Sequence, residues 1–467
     1  MAVLMPTFLQ AQPQGNNLIQ RSYLEWLEEQ ENERAAKYVQ CRAYYDGDHE
    51  TQLTDRMRKF LELKAGQDFS INVCPIVVDS LAEKLKVDGF ICESGADLFK
   101  EWWKANRMDG QQGVVHLAAV RDGDTYVLIE WDNELKRPVF TQENAWDGTQ
   151  GMHIVYSDEH RMLPVVAIKR WNLASGVNVV TRRTNLYYPD RIEKYSDGGG
   201  GDTWLHYDDG SGQWPIWWTD NDLEGGTPLG IPVIHFRNKD QGYSYGQSEE
   251  DPAIPLQNGG NKALIDTLSA ADTTGFRNYW MTGGKPDGIV TAPGSWFYSE
   301  NPDASFGAID AADLTSLIAL KDSIIADIGK VTRTPLSSFQ LTGAIAAAGT
   351  LKEQRAGLDA KIEDRQTTFG NAWEDVMAFG RKLANIFGSA KLDETKLIAT
   401  TWMAAEEPTD LDRATEVELL NRSGAASTET KVRKLHPDWE DAKVKVEVDL
   451  IHNEAGMLVP DIGPVAG

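Results

Sequence analysis

Four residues have the types and order that open a calcium loop: Asp220, Asp222, Glu224 and Gly225. Such a loop ends on a bidentate acid at its twelfth position, because the cation needs two more carboxylate oxygens there. Ile231 occupies that position, so a calcium site is not expected. Two Asp-Gly-Asp triplets, Asp46 to Asp48 and Asp122 to Asp124, also place carboxylates at metal-like spacing. Turn chemistry explains them better, because Asp and Gly favour reversals and a strand-like run begins straight after Asp124. The eight histidines are scattered, and none forms H-E-x-x-H or joins cysteines at zinc spacing. The chain has neither a G-x-x-x-x-G-K-[ST] phosphate loop nor a G-x-S-x-G nucleophile elbow. Gly242, Gly246, Gly259 and Gly260 do not fit a dinucleotide fingerprint. No catalytic residues, no metal ligands and no cofactor are therefore expected, and the chain reads as non-enzymatic.

Among fifteen tryptophans, the run WPIWW (214–218) has the aromatic density of a sugar-stacking surface. Packing in a core or an interface is the preferred reading, because Trp is a frequent interface anchor. The composition, 41% hydrophobic and 25% charged over 467 residues, supports packed cores and two to four domains of roughly 100–200 residues each. Cys41, Cys74 and Cys92 cannot all pair with one another and form no C-x-x-C motif. They are expected to be buried free thiols of a reducing compartment. No apolar run reaches membrane-spanning length. The first fifteen residues lack the basic start and uninterrupted apolar core of a signal peptide. The net charge of −25 argues against ordinary nucleic-acid binding, which relies on Lys and Arg to neutralise phosphates. It is compatible with a solubility surface, or with a surface that stays near DNA without adhering to it.

The elements follow from periodicity. Residues 17–45 read as a helix ending in YYDGDH, followed by a turn at 46–49 and a charged helical stretch, TDRMRKFLELK. In INVCPIVVDSLAEKLKVDGF, Pro75 suits a first helical turn, and Val77, Leu81 and Leu85 recur at helical spacing. Residues 98–106 form a short amphipathic helix. Strand signals dominate from about 124 to 238 in short β-branched or aromatic runs, with DGGGGD (197–202) as a flexible hairpin tip. Helix returns at Asp251 with Pro252 in its first turn, and Gly259 and Gly260 weaken it. Residues 283–306 interrupt it. A second helix follows, with an apolar stripe through Leu314, Leu317, Ile318, Ile324, Ile325, Ile328 and Val331. After Thr334-Pro335 comes the uncharged stretch TGAIAAAGT (342–350), and then a helical pattern over 350–387. That pattern would span roughly 55 Å if straight, with Gly357, Gly370 and Gly380 as places to bend. Two short helices over 409–436 and a flexible tail complete the chain.

This order of elements resembles the portal proteins of tailed bacteriophages, in particular those of long-tailed phages infecting Gram-positive hosts. The resemblance rests on YYDGDH (44–49), INVCPIVVDSLAEKLKVDGF (71–90), RDGDTYVLIEWD (121–132), GYSYGQSEEDPAIPLQNGGNKALIDTLSAAD (242–272), and TRTPLSSFQLTG with the LKEQRAGLDAKIEDRQTTFGNAWEDVM segment (332–377). It covers about residues 17 to 435. It implies an α+β portal fold with a β-rich wing, a two-helix stem, a small clip, a tunnel loop with a long helix, and a helical crown. The implied boundaries begin with a flexible N-terminus at 1–16 and a wing at 17–250, β-rich over 113–240. The stem helices fall at 251–282 and 311–333, with the clip between them at 283–310. The tunnel loop covers 334–350, the long helix and wing return 350–408, the crown 409–450 and a flexible tail 451–467.

The resemblance implies a homo-oligomeric ring, usually of twelve, at one capsid vertex, through which double-stranded DNA is packaged and ejected without sequence specificity. Its implied partners are the major capsid protein, the terminase large subunit and the head-tail adaptor, with no membrane involved. Its implied location is the virion, and the host cytoplasm during assembly. On this reading the tunnel loop facing DNA comprises Gln340, Thr342, Gly343, Ala344, Ile345, Ala346, Ala347, Ala348 and Gly349. Lys262, Lys321, Lys330 and Arg333 are candidate channel contacts on the stem, with salt-bridging side chains as the plainer reading. Trp296, Phe297 and Tyr298 are a candidate clip interface. Small neutral residues suit a loop that packs around moving DNA without gripping it. The alternatives are another neck or baseplate protein of the virion, and an acidic Trp-rich carbohydrate-binding protein or hydrolase.

Overall fold

The structure, a computed structural model, describes residues 17–49, 55–60, 62, 70–157, 159, 163–174, 180–199, 204–240, 242, 245–274, 278–283, 301–309, 314–339, 348–404, 410–436 and 439–457. It divides into two units, Met1–Met403 and Ala404–Gly467.

The first unit opens with α1 (Asn17–Asp46). Leu24, Leu27, Glu31, Ala35, Tyr38 and Cys41 are its buried positions, spaced three and four apart so that they share one face. The acid in that stripe is answered by a base: Glu31 accepts from Arg170 Nε at 2.6 Å. After α2 (Asp55–Phe60) and α3 (Cys74–Ala82), with Pro75 in its first turn, come β1 (Val87–Ile91), α4 (Ala96–Ala105) and α5 (Met108–Asp122). Residues 113–122, assigned above to the β-rich region, are therefore helix. α5 holds Gly110 and Gly113 and lacks a clean apolar stripe, so its pattern is weak. Asp122-Gly-Asp124 is a helix-to-strand corner. Gly123 caps α5 at φ 97°, and a Cβ there would meet the Gln247 and Ser248 backbone at 3.0 Å, a combination that favours glycine.

Nine strands follow: β2 (Asp124–Asp132), β3 (Arg137–Asn144), β4 (Gly151–Tyr156), β5 (Pro164–Ala174), β6 (Val180–Tyr187), β7 (Arg191–Ser196), β8 (Leu205–His206), β9 (Ile216–Trp217) and β10 (Val233–Arg237). One antiparallel sheet has the order β10-β2-β3; a second runs β4-β5-β6-β7-β8, with β9 paired to β7. β7 and β8 pair through Tyr195 with His206; residues 200–202 of the expected hairpin tip DGGGGD lie outside the described residues. Along β2 the two faces diverge, as the pleat requires. Tyr126 and Leu128 join a cluster with Tyr38, Met152, Ile154 and Ala167. The opposite face, shared by Val127 and by Phe236 of the neighbouring strand, meets the long helix described next.

The chain then forms α6 (Ile254–Thr274), the hairpin β11 (Asn278–Thr282) and β12 (Ser305–Ile309), α7 (Thr315–Thr332), and a 3-10 turn at Leu336–Ser338. Next comes the 40-residue α8 (Ala348–Phe387), about 60 Å long at 1.5 Å per residue. Trp373 of α8 is fully buried. It makes edge contacts with Trp103 at 5.0 Å and Phe236 at 4.8 Å, and its indole donates to His116 Nε2 at 2.9 Å. His116 Nδ1 is 2.8 Å from the Leu85 carbonyl, so the ring is neutral with its proton on Nδ1. Burial lowers its pKa to about 4. The α8 glycines proposed as bends are contact points. Gly357 lies under Arg333, Gly370 under Trp402 and Gly380 under Phe140, each with a virtual Cβ at 3.4–3.5 Å. β13 (Ala399–Trp402) closes the unit by pairing with β1, some 300 residues away in sequence.

The second unit contains α9 (Asp410–Ser423), α10 (Thr428–Leu435) and α11 (Asp441–Met457). Ser427 caps α10, accepting from the Thr430 amide. Val432 and Val444 are its buried apolar residues. The tail expected to be flexible from 451 begins inside α11, whose alternating valines (Val444, Val446, Val448) have strand rather than helix periodicity; residues 458–467 lie outside the described residues. No described helix is long and apolar enough to cross a membrane.

Candidate functional site

The antiparallel helices α6 and α7 pack together and carry the β11–β12 hairpin at one end. The first helix is shorter than expected from 251–282. It starts at Ile254, with Pro255 rather than Pro252 in its first turn, and residues 278–282 are strand. Gly259 and Gly260 face α7 without a close approach that requires glycine. A Cβ at either position would sit at van der Waals distance from Ile324 of α7, at 3.9 and 3.7 Å. The apolar stripe of α7 is mostly uncovered within this chain. Only Ile328 of that set is buried, against Val73, Val77 and Ala253, whereas Ile318 and Val331, with Leu320 beside them, are about half exposed.

Three of the four basic residues singled out on these helices are held by aspartates of their own helix. Lys262 lies 3.2 Å from Asp266, Lys330 2.8 Å from Asp327, and Lys321 3.2 Å from Asp322. Arg333 differs. It is exposed and caps α7 at φ 54°, and its side chain has no hydrogen bond or ion pair among the described residues. Of the uncharged stretch, Ala348 and Gly349 belong to α8. Gln340, Thr342, Gly343, Ala344, Ile345, Ala346 and Ala347 lie outside the described residues, as do Trp296, Phe297 and Tyr298.

The motifs quoted above converge where α6 begins. Gln257 and Asn261, one turn apart and both buried, grip the extended segment before α3 as a neighbouring strand would. Gln257 Oε1 accepts from the Val73 amide at 3.1 Å and its Nε2 donates to the Ile71 carbonyl. Asn261 Oδ1 accepts from the Ile71 amide at 3.0 Å. YYDGDH closes the other side. Asn72 donates to the Tyr45 carbonyl at 3.0 Å, Tyr44 donates to Asn258 at 2.8 Å, and His49 meets Asn261 at 3.0 Å. Beside them, buried Asp124 accepts from Tyr38 at 2.7 Å, His235 at 2.8 Å and the Gly246 amide at 2.6 Å. Burial alone would raise its pKa; the hydrogen bond from His235, with those from Gly246 and Tyr38, holds it below the usual carboxylate range. His235 is itself pushed down by burial, more than Asp124 pulls it up, so it is neutral at pH 7 and donates from Nε2. Glu250 is fully buried just before α6, and neither of its carboxyl oxygens has a partner among the described residues. Burial, reinforced by Asp122, raises its pKa to about 9, so it is protonated at neutral pH.

A second buried cluster ties α8 to the turn after β10. Glu249 accepts from Lys361 at 2.7 Å and Arg365 at 2.9 Å, with Lys239 at 3.3 Å. Lys361 also donates to the Thr332 carbonyl at the end of α7, and Arg365 to Asn238. Sequence reasoning missed these residues. Their one local signal is the run of polar residues at buried helical spacing, Gln257 with Asn261 and Lys361 with Arg365.

The other candidates from the sequence are structural. Asp220 accepts from the Thr227 amide at 2.9 Å and Asn221 from the Leu223 amide at 3.1 Å, closing a self-satisfied loop. Among the described residues no cluster of three or more His, Cys, Asp or Glu side chains is arranged to hold a metal. In WPIWW, Trp218 donates to the Gly230 carbonyl at 2.9 Å, and Trp214 packs on Tyr195 and His206.

A helix pair and a long helix are locked to a β-rich body by buried polar networks. The portal proteins of Mycobacterium phage D29 and Mycobacterium phage L5 are each 22% identical to this chain, over 374 and 378 residues, 75% of this chain and 72% of theirs. Among solved structures, the neck of the native gene transfer agent particle computed with C12 symmetry aligns at a TM-score of 0.41 and 13% identity, covering 80% of this chain and 89% of that one. The neck of the empty particle computed with C6 symmetry aligns at 0.44 and 11%, covering 81% and 90%. The model of one protein family, described as phage portal protein, SPP1 Gp6-like, matches residues 24–460. This chain belongs to that phage portal protein family.

Proposed function

We propose that the chain is one subunit of a ring, twelve copies in the simplest case, that forms the DNA channel at a single capsid vertex. The observation carrying this reading is the family match across residues 24–460. The half-exposed apolar residues Ile318, Leu320 and Val331 on α7 support it, since an apolar helix face of this kind is ordinarily buried against a partner. In this reading the sheets are the wing, α6 and α7 the stem, and the β11–β12 hairpin the root of the clip. Residues 340–347 are the tunnel segment, α8 the helix crossing the wing, and α9 to α11 the crown.

The chemistry suits a conduit. Twelve copies of −25 would place roughly −300 on the ring, which repels phosphates and lets duplex DNA slide. The stem lysines, each neutralised by an aspartate on its own helix, would offer at most transient phosphate contacts. The packaging motor and the neck adaptor dock at the clip, the capsid protein surrounds the wing, and the role is structural rather than catalytic. Gold labelling of this chain in assembled virions tests the placement. Label at one capsid vertex is expected; label at the tail tip would overturn it in favour of a baseplate component.

A further inference from the structure

The end of α7, the middle of α8 and the turn after β10 line a half-open cavity of about 440 Å³. Four cations line it, Lys239, Arg333, Lys361 and Arg365, against two carboxylates, Glu249 and Asp364. Three of the cations converge on the single buried carboxylate of Glu249, and Asp364 takes a second arm of Arg365. Arg333 has no partner of its own among the described residues. The cavity thus carries two positive charges more than its carboxylates neutralise, in a chain with 71 acidic and 46 basic residues.

Its walls are fixed. Arg333 sits in the left-handed region at φ 54°, with its amide and that of Thr334 bonded back to the last turn of α7. Lys361 is pinned between Glu249 and the Thr332 carbonyl. These contacts fix the backbone that carries Arg333, and its guanidinium can bind a planar oxyanion through two parallel hydrogen bonds.

We propose that this cavity seats a carboxylate from a second copy of the chain. The proposal rests on the ring reading above. The acidic surface of a neighbouring copy complements the excess positive charge. A recess admits a side chain, whereas a duplex phosphate lies on a convex rod tied to its neighbours. A fixed phosphate clamp would also retard a sliding duplex. The site is then an electrostatic latch between subunits, at the level where the stem joins the long helix.

The test is the assembly state of the full chain across a salt series, by native mass spectrometry and light scattering, for the natural protein, Arg333→Asn and Arg333→Lys. Asn tolerates the left-handed backbone and removes the charge; circular dichroism checks that each variant is folded. The expected result is a ring in all three at low salt. Subunit affinity in Arg333→Asn should be weaker by at least about tenfold, and Arg333→Lys should fall between it and the natural protein. Rings of Arg333→Asn as salt-resistant as the natural ones overturn the latch alone. Unchanged assembly with lost retardation of duplex DNA overturns it in favour of a phosphate. A natural chain that stays monomeric overturns the latch and the ring reading together.

Discussion

Replacing Glu249 by Gln isolates the buried cluster that joins α8 to the sheet. The substitution keeps the shape and removes the charge that three cations share. Lys361 and Arg365 are 7% and 4% exposed, so water cannot take the place of Glu249. Burial alone would raise its pKa; the charges of Lys361, Lys239 and Arg365 overcome this and hold it at about 2, against an ordinary 4.5. That difference corresponds to about 3 kcal/mol of stability. Part is offset by Lys361, whose own pKa is lowered by burial despite Glu249. Stranding two buried cations costs about 3–5 kcal/mol, so the expected loss is about 3 kcal/mol. In a unit of this size that lowers the melting midpoint by roughly 3–4 °C. Differential scanning calorimetry at pH 7 reads it, with hydrogen exchange reporting loss of protection around Lys361 and Arg365. The pH dependence has a fixed sign. A depressed carboxylate pKa stabilises the fold fully above about 4.5, and this contribution disappears as pH falls toward 2. The gap between the natural protein and Glu249→Gln should therefore narrow across that window. The double variant Glu249→Gln with Lys361→Met should recover about half of the loss, since one stranded cation is gone. A Glu249→Gln midpoint equal to that of the natural protein would refute the reasoning.

Gly260→Ala should raise stability by about 0.5–1 kcal/mol through helix propensity, because its Cβ would only touch Ile324; a lower melting midpoint contradicts the helix-pair geometry. Lys262→Ala and Lys330→Ala should each change stability by less than about 0.5 kcal/mol, as exposed same-helix pairs do, and a larger shift in the melting midpoint contradicts that reading. Ala346→Glu with Ala347→Glu should leave ring assembly intact and impair DNA packaging or retention; unchanged genome packaging rejects the tunnel assignment.

Elements with strong local periodicity were legible. The pattern at 350–387 predicts α8 to within two residues, and the runs at TYVLIEWD and LPVVAIKRW predict β2 and β5. Where tertiary pairing overrides weak local pattern, legibility failed. β3 contains Pro138, β7 is the charged RIEKYS, and β1 is five residues with a central Gly89, paired only by the distant β13. The motifs that converge where α6 begins were visible as a resemblance, but their joint purpose was not. Gln257 meets Val73 and Glu249 meets Lys361 across more than a hundred residues, and no local spacing encodes such pairings. The basic residues of α6 and α7 were legible as candidates. Only the structure separates Arg333, which faces a cavity, from three lysines neutralised on their own helices.

The central claim is that copies of this chain close into a ring around a channel. Cryo-electron microscopy of the purified full-length chain, averaged without imposed symmetry, tests it most directly. The account predicts closed rings with a central hole, with α6 and α7 of each subunit flanking that hole and the apolar face of α7 buried against its neighbour. Monomers at micromolar concentration, or a compact oligomer with no axial opening, would contradict it.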